Sequence, residues 1–355
     1  MHAGGTGRRQ GSPAVSALAH LVPLARILAA REVVAPRVHR TPMLSSATAA
    51  RVLAAAGGPE VAGGRVFVKA EHLQVTGSFK PRGMTYRLAT LPPEQRARGI
   101  VTVSAGNAAQ AYAWAGRAAG VHAVVVMPEG AVRSKVEACR GYGAEVVVHG
   151  AHVGETFRRM EELRDARGLF FAHPFDDPDV IAGHGSLGLE ILEDLPEVDV
   201  VVVGVGGGGL ISGVAAAVKE RRPSARVYGV EPVQSDALSR GLSAGAPVRI
   251  QPKSVADGLG APFAGEWTVA MGARYLDGIV LLDDPIILAG MRFAAERMKQ
   301  VLEPAGAAAL AAVLFNRVPL RAADRVCVVA SGGNVETGRV GALLEQAAPL
   351  PSEAR

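Results

Sequence analysis

Short apolar runs alternate with segments of helical length along most of the chain. Ile100–Val103, Ala123–Met127 and Glu145–Val148 read as strands, followed by helices over 108–119, 134–142 and 155–167. The alternation resumes with a helix over 185–195, a strand over 198–203, a helix over 210–221 and a strand over 226–230. Helices over 285–301 and 305–315 and a strand over 326–330 follow. The N-terminal third reads as a helix over 16–34, an extended stretch at 39–42, a helix over 45–56, a strand over 66–70 and a helix from Lys80 to about Leu91. Strands alternating with helices predict parallel sheets with right-handed crossovers. The fold class is α/β, with two lobes built on parallel-type open sheets. The expected large lobe takes 1–95 and 176–355, with 1–15 as a tail; the expected small lobe takes 96–175.

Composition supports a folded chain. Hydrophobic residues make up 49% and charged residues 20% of 355 residues, enough apolar surface for a large core. The net charge of +5 is dispersed, without a basic run longer than a pair, so nucleic acid is not an expected partner. Cys139 and Cys327 form no framework and no metal-type spacing, which fits a reducing cytoplasm. The start lacks the apolar core of a secretory leader. The uncharged stretch 200–218 is long enough to span a bilayer, but its six glycines favour a strand, a turn and a helix, so no membrane association is expected.

Four segments at strand ends carry candidate chemistry. Thr76–Gly83 presents Lys80 after a Gly-Ser turn, beside Phe79 and Pro81; a lysine in a tight, half-buried setting can become a nucleophile. Ser104-Ala105-Gly106-Asn107 opens a helix, whose N–H groups suit a carboxylate, although Ser and Asn also serve as ordinary caps. Gly204-Val205-Gly206-Gly207-Gly208-Gly209 suits a phosphate, and it also matches a dinucleotide fingerprint, with Glu231 at the distance a ribose contact needs. By local pattern alone, neither of these two readings outweighs the other. Ser331-Gly332-Gly333-Asn334 offers a hydroxyl to a ring nitrogen. One ligand asks for an amine partner, a phosphate cradle, a ring-nitrogen contact and a carboxylate pocket together: pyridoxal 5'-phosphate with an amino acid. A nicotinamide cofactor leaves Lys80 and the Ser104 loop without a role.

With His39-Arg40-Thr41-Pro42, the His173–Pro178 segment, Gly229–Pro232, Ala256-Asp257-Gly258 and Leu302-Glu303-Pro304, these segments resemble the serine/threonine dehydratase and serine racemase family. That family has the fold-type II, tryptophan synthase β-like fold of pyridoxal phosphate enzymes. The resemblance covers about 35–335 and implies residue roles. Lys80 would hold the cofactor covalently and move the α-proton. Phe79 and Asn107 would flank the ring, with Asn107 on its 3-hydroxyl. Gly206, Gly207, Gly208 and Gly209 would hold the phosphate, and Ser331 the pyridine nitrogen. Ser104, Ala105, Gly106 and Asn107 would hold the substrate carboxylate. The implied reaction is β-elimination from a small L-3-hydroxy amino acid, such as threonine or serine, to a 2-oxo acid and ammonia, with the cofactor phosphate assisting departure of the hydroxyl. A homodimer is expected from the family.

Departures from the family pattern refine this reading. Racemases carry a serine at the place of Ala105, which cannot move a proton, and dehydration is favoured over racemisation or β-replacement. Residue 108 is alanine where the family loop has histidine. Glu231 is a candidate ligand for a divalent cation, but its partner acid is replaced by Ala237, with Asp236 one residue earlier, so a cation is not favoured. Lys69 reads as a surface charge, His184 as a polar packing residue, and Glu303 faces the cofactor cleft. No regulatory extension follows the matched region, and feedback control is not expected.

Overall fold

The structure, a computed structural model, describes residues 20–351. The expected tail over 1–15 and the first residues of the 16–34 helix lie outside them. Among the described residues ten strands form two sheets. These are β1 (Met43–Ser46), β2 (Val66–Lys69), β3 (Ile100–Val103), β4 (Ala123–Met127), β5 (Glu145–Val148), β6 (Phe170–Phe171), β7 (Val200–Gly204), β8 (Arg226–Pro232), β9 (Gly278–Leu282) and β10 (Val326–Val329). The larger sheet runs β1-β2-β10-β7-β8-β9 and the smaller β5-β4-β3-β6. Every pairing is parallel except that of β1 with β2.

Parallel strands are covered on both faces, which requires continuous apolar runs. β7 is Val-Val-Val-Val-Gly and fully buried. Its side chains alternate, with Val200 and Val202 entering the core of the Pro304–Leu314 helix and Val201 and Val203 the core of the Gly209–Arg221 helix. β4 does the same in the smaller sheet, sending Val125 and Met127 one way and Val124 and Val126 the other. Each fully buried valine contributes roughly 1.5–3 kcal/mol.

Several expectations change. Residues 43–46 pair with β2 as a strand, and the helix begins only at Ala47, because the Ser46 hydroxyl accepts the Ala49 N–H at 3.0 Å. The helix expected over 285–301 stops at Phe293, passes through a wider turn over 294–298 and ends at Lys299, whose φ is 60°. The helix expected over 185–195 starts at Pro178, where the Asp177 carboxylate accepts the N–H groups of Asp179 and Val180. β9, β6 and the helices Ala237–Ala244, Glu266–Tyr275 and Thr337–Leu344 are additions to the sequence reading; each is short or weakly patterned.

Lys69 is the largest correction. It is fully buried, because its ammonium meets Glu190 at 2.9 Å, Asp194 at 2.8 Å and the Thr41 carbonyl at 2.8 Å. Beside it, Arg82 forks onto Glu71 and Glu190, and Glu71 also accepts the Thr41 hydroxyl at 2.5 Å. This buried ionic cluster clamps the Lys80–Ala89 helix to β2 and to the Pro178–Asp194 helix.

Candidate active site

Lys80 is the first residue of its helix. The chain reaches it through Thr76 and Gly77, both left-handed, with φ of 63° and 73°. For Thr76 that conformation costs about 1–2 kcal/mol. It is held by hydrogen bonds to the loop after β10: Phe79 N–H to Ser331 O at 3.1 Å, Gly333 N–H to Gly77 O at 2.9 Å, and the Asn334 amide to Thr76 O at 2.7 Å. Two segments about 250 residues apart are thereby one structural unit. The Lys80 amine donates to Pro174 O at 3.0 Å, and burial lowers its pKa to about 8. An amine with that pKa is a usable nucleophile and base near neutrality.

Lys80 stands in a cleft of about 370 Å³ that also contains Ser104, Ala105, Gly106, Asn107, the glycine loop, Glu303 and Ser331. The structure therefore brings every expected cofactor and substrate residue to one place. Phe79 lines it too, and its ring meets the buried His184 edge-on at 4.8 Å. His184 is a packing residue: both ring nitrogens lack a hydrogen-bond partner among the described residues, and burial keeps the ring neutral.

Two helix N-termini point into the cleft without a side-chain cap. One opens the Asn107–Ala119 helix and the other the Gly209–Arg221 helix. The Ser104 hydroxyl accepts the Gly106 N–H, at 3.2 Å, and does not close the first of them. Uncapped N–H groups and the helix dipole suit anions. The glycines of the second loop are required on steric grounds. A Cβ on Gly207 would lie 2.3 Å from the Phe175 ring, and Gly208 has a φ of 89°. The donor set fits pyridoxal phosphate: a buried amine, an open phosphate cradle, a flanking aromatic ring and the buried Ser331 hydroxyl, which donates to the protein only through a long contact to Ala305 O at 3.5 Å among the described residues.

Asn107 is more constrained than its sequence suggests. Its amide nitrogen donates to Glu303 at 2.7 Å and its oxygen accepts from Asn334 at 2.7 Å. Both partners fix the amide's orientation and leave one N–H for a ring substituent. Burial, with the nearby Asp257 charge, pushes the Glu303 carboxyl up to about 7. Asn334 and His173 also belong to the site; their segments stand out in the sequence, but nothing there gives these two side chains a role.

Glu231 lies apart from this site. Its carboxylate accepts the N–H groups of Leu238 at 2.8 Å and Ser239 at 2.9 Å, capping a helix. That arrangement removes the ribose contact on which a dinucleotide reading depended. Among the described residues no three His, Cys, Asp or Glu side chains are grouped to hold a metal. No helix among them is long and apolar enough to cross a membrane.

Fold and cleft together define a fold-type II pyridoxal phosphate enzyme. The chain belongs to the family described as pyridoxal-phosphate dependent enzymes, whose model matches residues 34–332. Among its relatives is an L-threonine ammonia-lyase from Thermotoga maritima, 39% identical over 310 residues, covering 87% of this chain and 75% of the relative. A catabolic L-threonine dehydratase of Staphylococcus aureus is 37% identical over 330 residues, covering 92% and 93%. The solved structure of maize serine racemase superposes with a TM-score of 0.84 at 33% identity, covering 92% of this chain and 97% of that one.

Proposed function

We propose that the protein is an ammonia-lyase that removes water and then ammonia from a small L-3-hydroxy amino acid, such as threonine or serine, leaving a 2-oxo acid. The observation that carries this is the convergence of the buried Lys80 amine, two open helix N-termini and Ser331 on one cleft. The bound cofactor supplies an electron sink that acidifies the α-carbon. The N–H groups of 104–107 hold the substrate carboxylate, and those of 206–209 hold the phosphate. Lys80 carries the cofactor, then takes the α-proton. Ser331 gives the pyridine nitrogen a hydrogen bond but no full proton, which moderates the sink and suits loss of a β-group.

Resemblance to a racemase makes inversion the second reading. Ala105 speaks against it, since it offers no acid or base on the face opposite Lys80. A panel of threonine, serine and 3-hydroxyaspartate, scored for 2-oxo acid release and for D-amino acid, tests both. Oxo acid without D-product is expected; appreciable D-serine would overturn the assignment. We further infer that the 96–175 segment acts as the carboxylate lobe, that a homodimer works in the cytoplasm, and that Glu231 needs no divalent cation, so chelators leave activity unchanged.

A further inference from the structure

The imidazole of His173 stands in the cleft wall and has no part in the steps above. Its Nδ1 faces the main-chain N–H groups of Phe175 at 3.3 Å and Asp176 at 2.8 Å. An N–H is met by a lone pair, so Nδ1 carries no hydrogen and the ring's one proton sits on Nε2. Among the described residues no hydrogen bond reaches Nε2, and the half-buried His173 lines the cleft. The ring is held in place. Phe175 and Phe171 meet it edge-on at 4.6 and 5.7 Å, and the buried Tyr112 hydroxyl donates to the His173 carbonyl at 2.8 Å. A flipped ring would set the Cδ2–H against both N–H groups and lose these bonds. Burial first, and the Lys80 charge second, bring its pKa down to about 4. His173 is therefore a fixed, neutral, single donor.

Its neighbours locate that donor. The next residue, Pro174, supplies the carbonyl that receives the Lys80 amine. The one after, Phe175, covers Gly207 of the glycine loop. His173 thus belongs to the stretch of wall joining the amine to the phosphate cradle. Under the elimination reading the substrate's carboxylate goes to 104–107 and its amino group to the cofactor. The group left to meet this wall is the one on the β-carbon.

We propose that His173 donates its Nε2–H to the β-hydroxyl oxygen of the bound amino acid and holds it as the leaving group. This rests on the elimination reading. The Cβ–O bond breaks with its electron pair on oxygen. The α-carbon's electron pair forms the Cα–Cβ double bond, the proton gained by the oxygen balances the one Lys80 took from the α-carbon, water leaves, and the amine is free again. His173 gives up no proton, since loss of its only N–H would create an imidazolate. Its contribution is a hydrogen bond that strengthens as charge gathers on the oxygen, and removing one such donor typically costs about 10²–10³ in rate.

The test compares two leaving groups in His173→Phe and His173→Gln holoenzymes. Serine loses hydroxide and needs the donor; β-chloroalanine loses chloride and does not. His173→Phe should lose about 10²–10³-fold in kcat on serine and less than about threefold on β-chloroalanine, with pyridoxal phosphate affinity unchanged. His173→Gln, which keeps an N–H, should recover part of the serine rate. Equal losses on both substrates would show a structural role and overturn the proposal. Equal losses with pyridoxal phosphate bound about tenfold more weakly would place the N–H on the phosphate and overturn it as well. Should the Phe variant fail to fold, a Gln variant with an unchanged serine to β-chloroalanine ratio refutes the idea. A wild-type enzyme that eliminates neither group would remove the elimination reading itself.

Discussion

Burial of Lys80 has a consequence that can be read without turnover. Its amine is shifted from an ordinary 10.5 to about 8, and burial is the cause. Near pH 7 an ordinary lysine has roughly three amines in ten thousand unprotonated, whereas a pKa of about 8 leaves about one in ten. The reactive fraction is then roughly 300-fold larger. Mixing apoprotein with pyridoxal phosphate in a stopped-flow instrument, and following the visible band of the attached cofactor, measures this directly. The rate should climb tenfold per pH step below about 8 and level off above it. Lys80→Ala should show reversible cofactor binding without the covalent band. A profile still climbing near pH 10, or a band that survives Lys80→Ala, would refute the reasoning.

Other perturbations have equally definite outcomes. Gly207→Ala drives a Cβ to 2.3 Å from the Phe175 ring, so a cost of about 1–3 kcal/mol and loss of tight pyridoxal phosphate binding are expected in melting and titration. Arg82→Ala leaves the buried Glu71 without its paired guanidinium and Glu190 with Lys69 alone, and should cost about 3–5 kcal/mol in denaturant melts. Ala105→Ser should introduce D-serine formation, read by chiral chromatography, while retaining elimination. The Glu231 carboxyl is raised to about 7, chiefly by burial, so the folded state keeps a proton that the unfolded chain has already lost. Apoprotein stability should therefore fall as pH rises from about 4.5 to about 7, and Glu231→Gln should flatten that slope.

The parts legible in sequence are those whose function resides in the backbone. The glycine loop, the Ser104 loop and the turn before Lys80 need particular residues at consecutive positions, and such needs show as motifs. Lys69 is misread from sequence because nothing near it discloses Glu190 and Asp194, more than 120 residues away. Asn334 and Glu303 act through Asn107, across separations of 227 and 196 residues, so their roles exist only after folding. His173 has no local signature, because its tautomer is set by the main chain of its own loop. β9 escapes notice although Gly-Ile-Val-Leu-Leu is a fair strand signal; only its fourth side chain is exposed, so it lacks the alternation of an edge strand.

The place of β10 bears on how the enzyme is made. This strand lies between β2 and β7, and the loop after it fastens the Lys80 turn. A nascent chain that has not yet delivered residues 326–334 from the ribosome has a gap in the middle of its larger sheet and an unanchored lysine. The smaller sheet, with strands drawn from 100–171, is complete long before. Synthesis should thus yield an early-folding unit that waits for β10, and cofactor capture should follow delivery of that strand. Ribosome-arrested chains ending before Val326 should fail to retain pyridoxal phosphate, and retention by such chains would contradict this order of assembly.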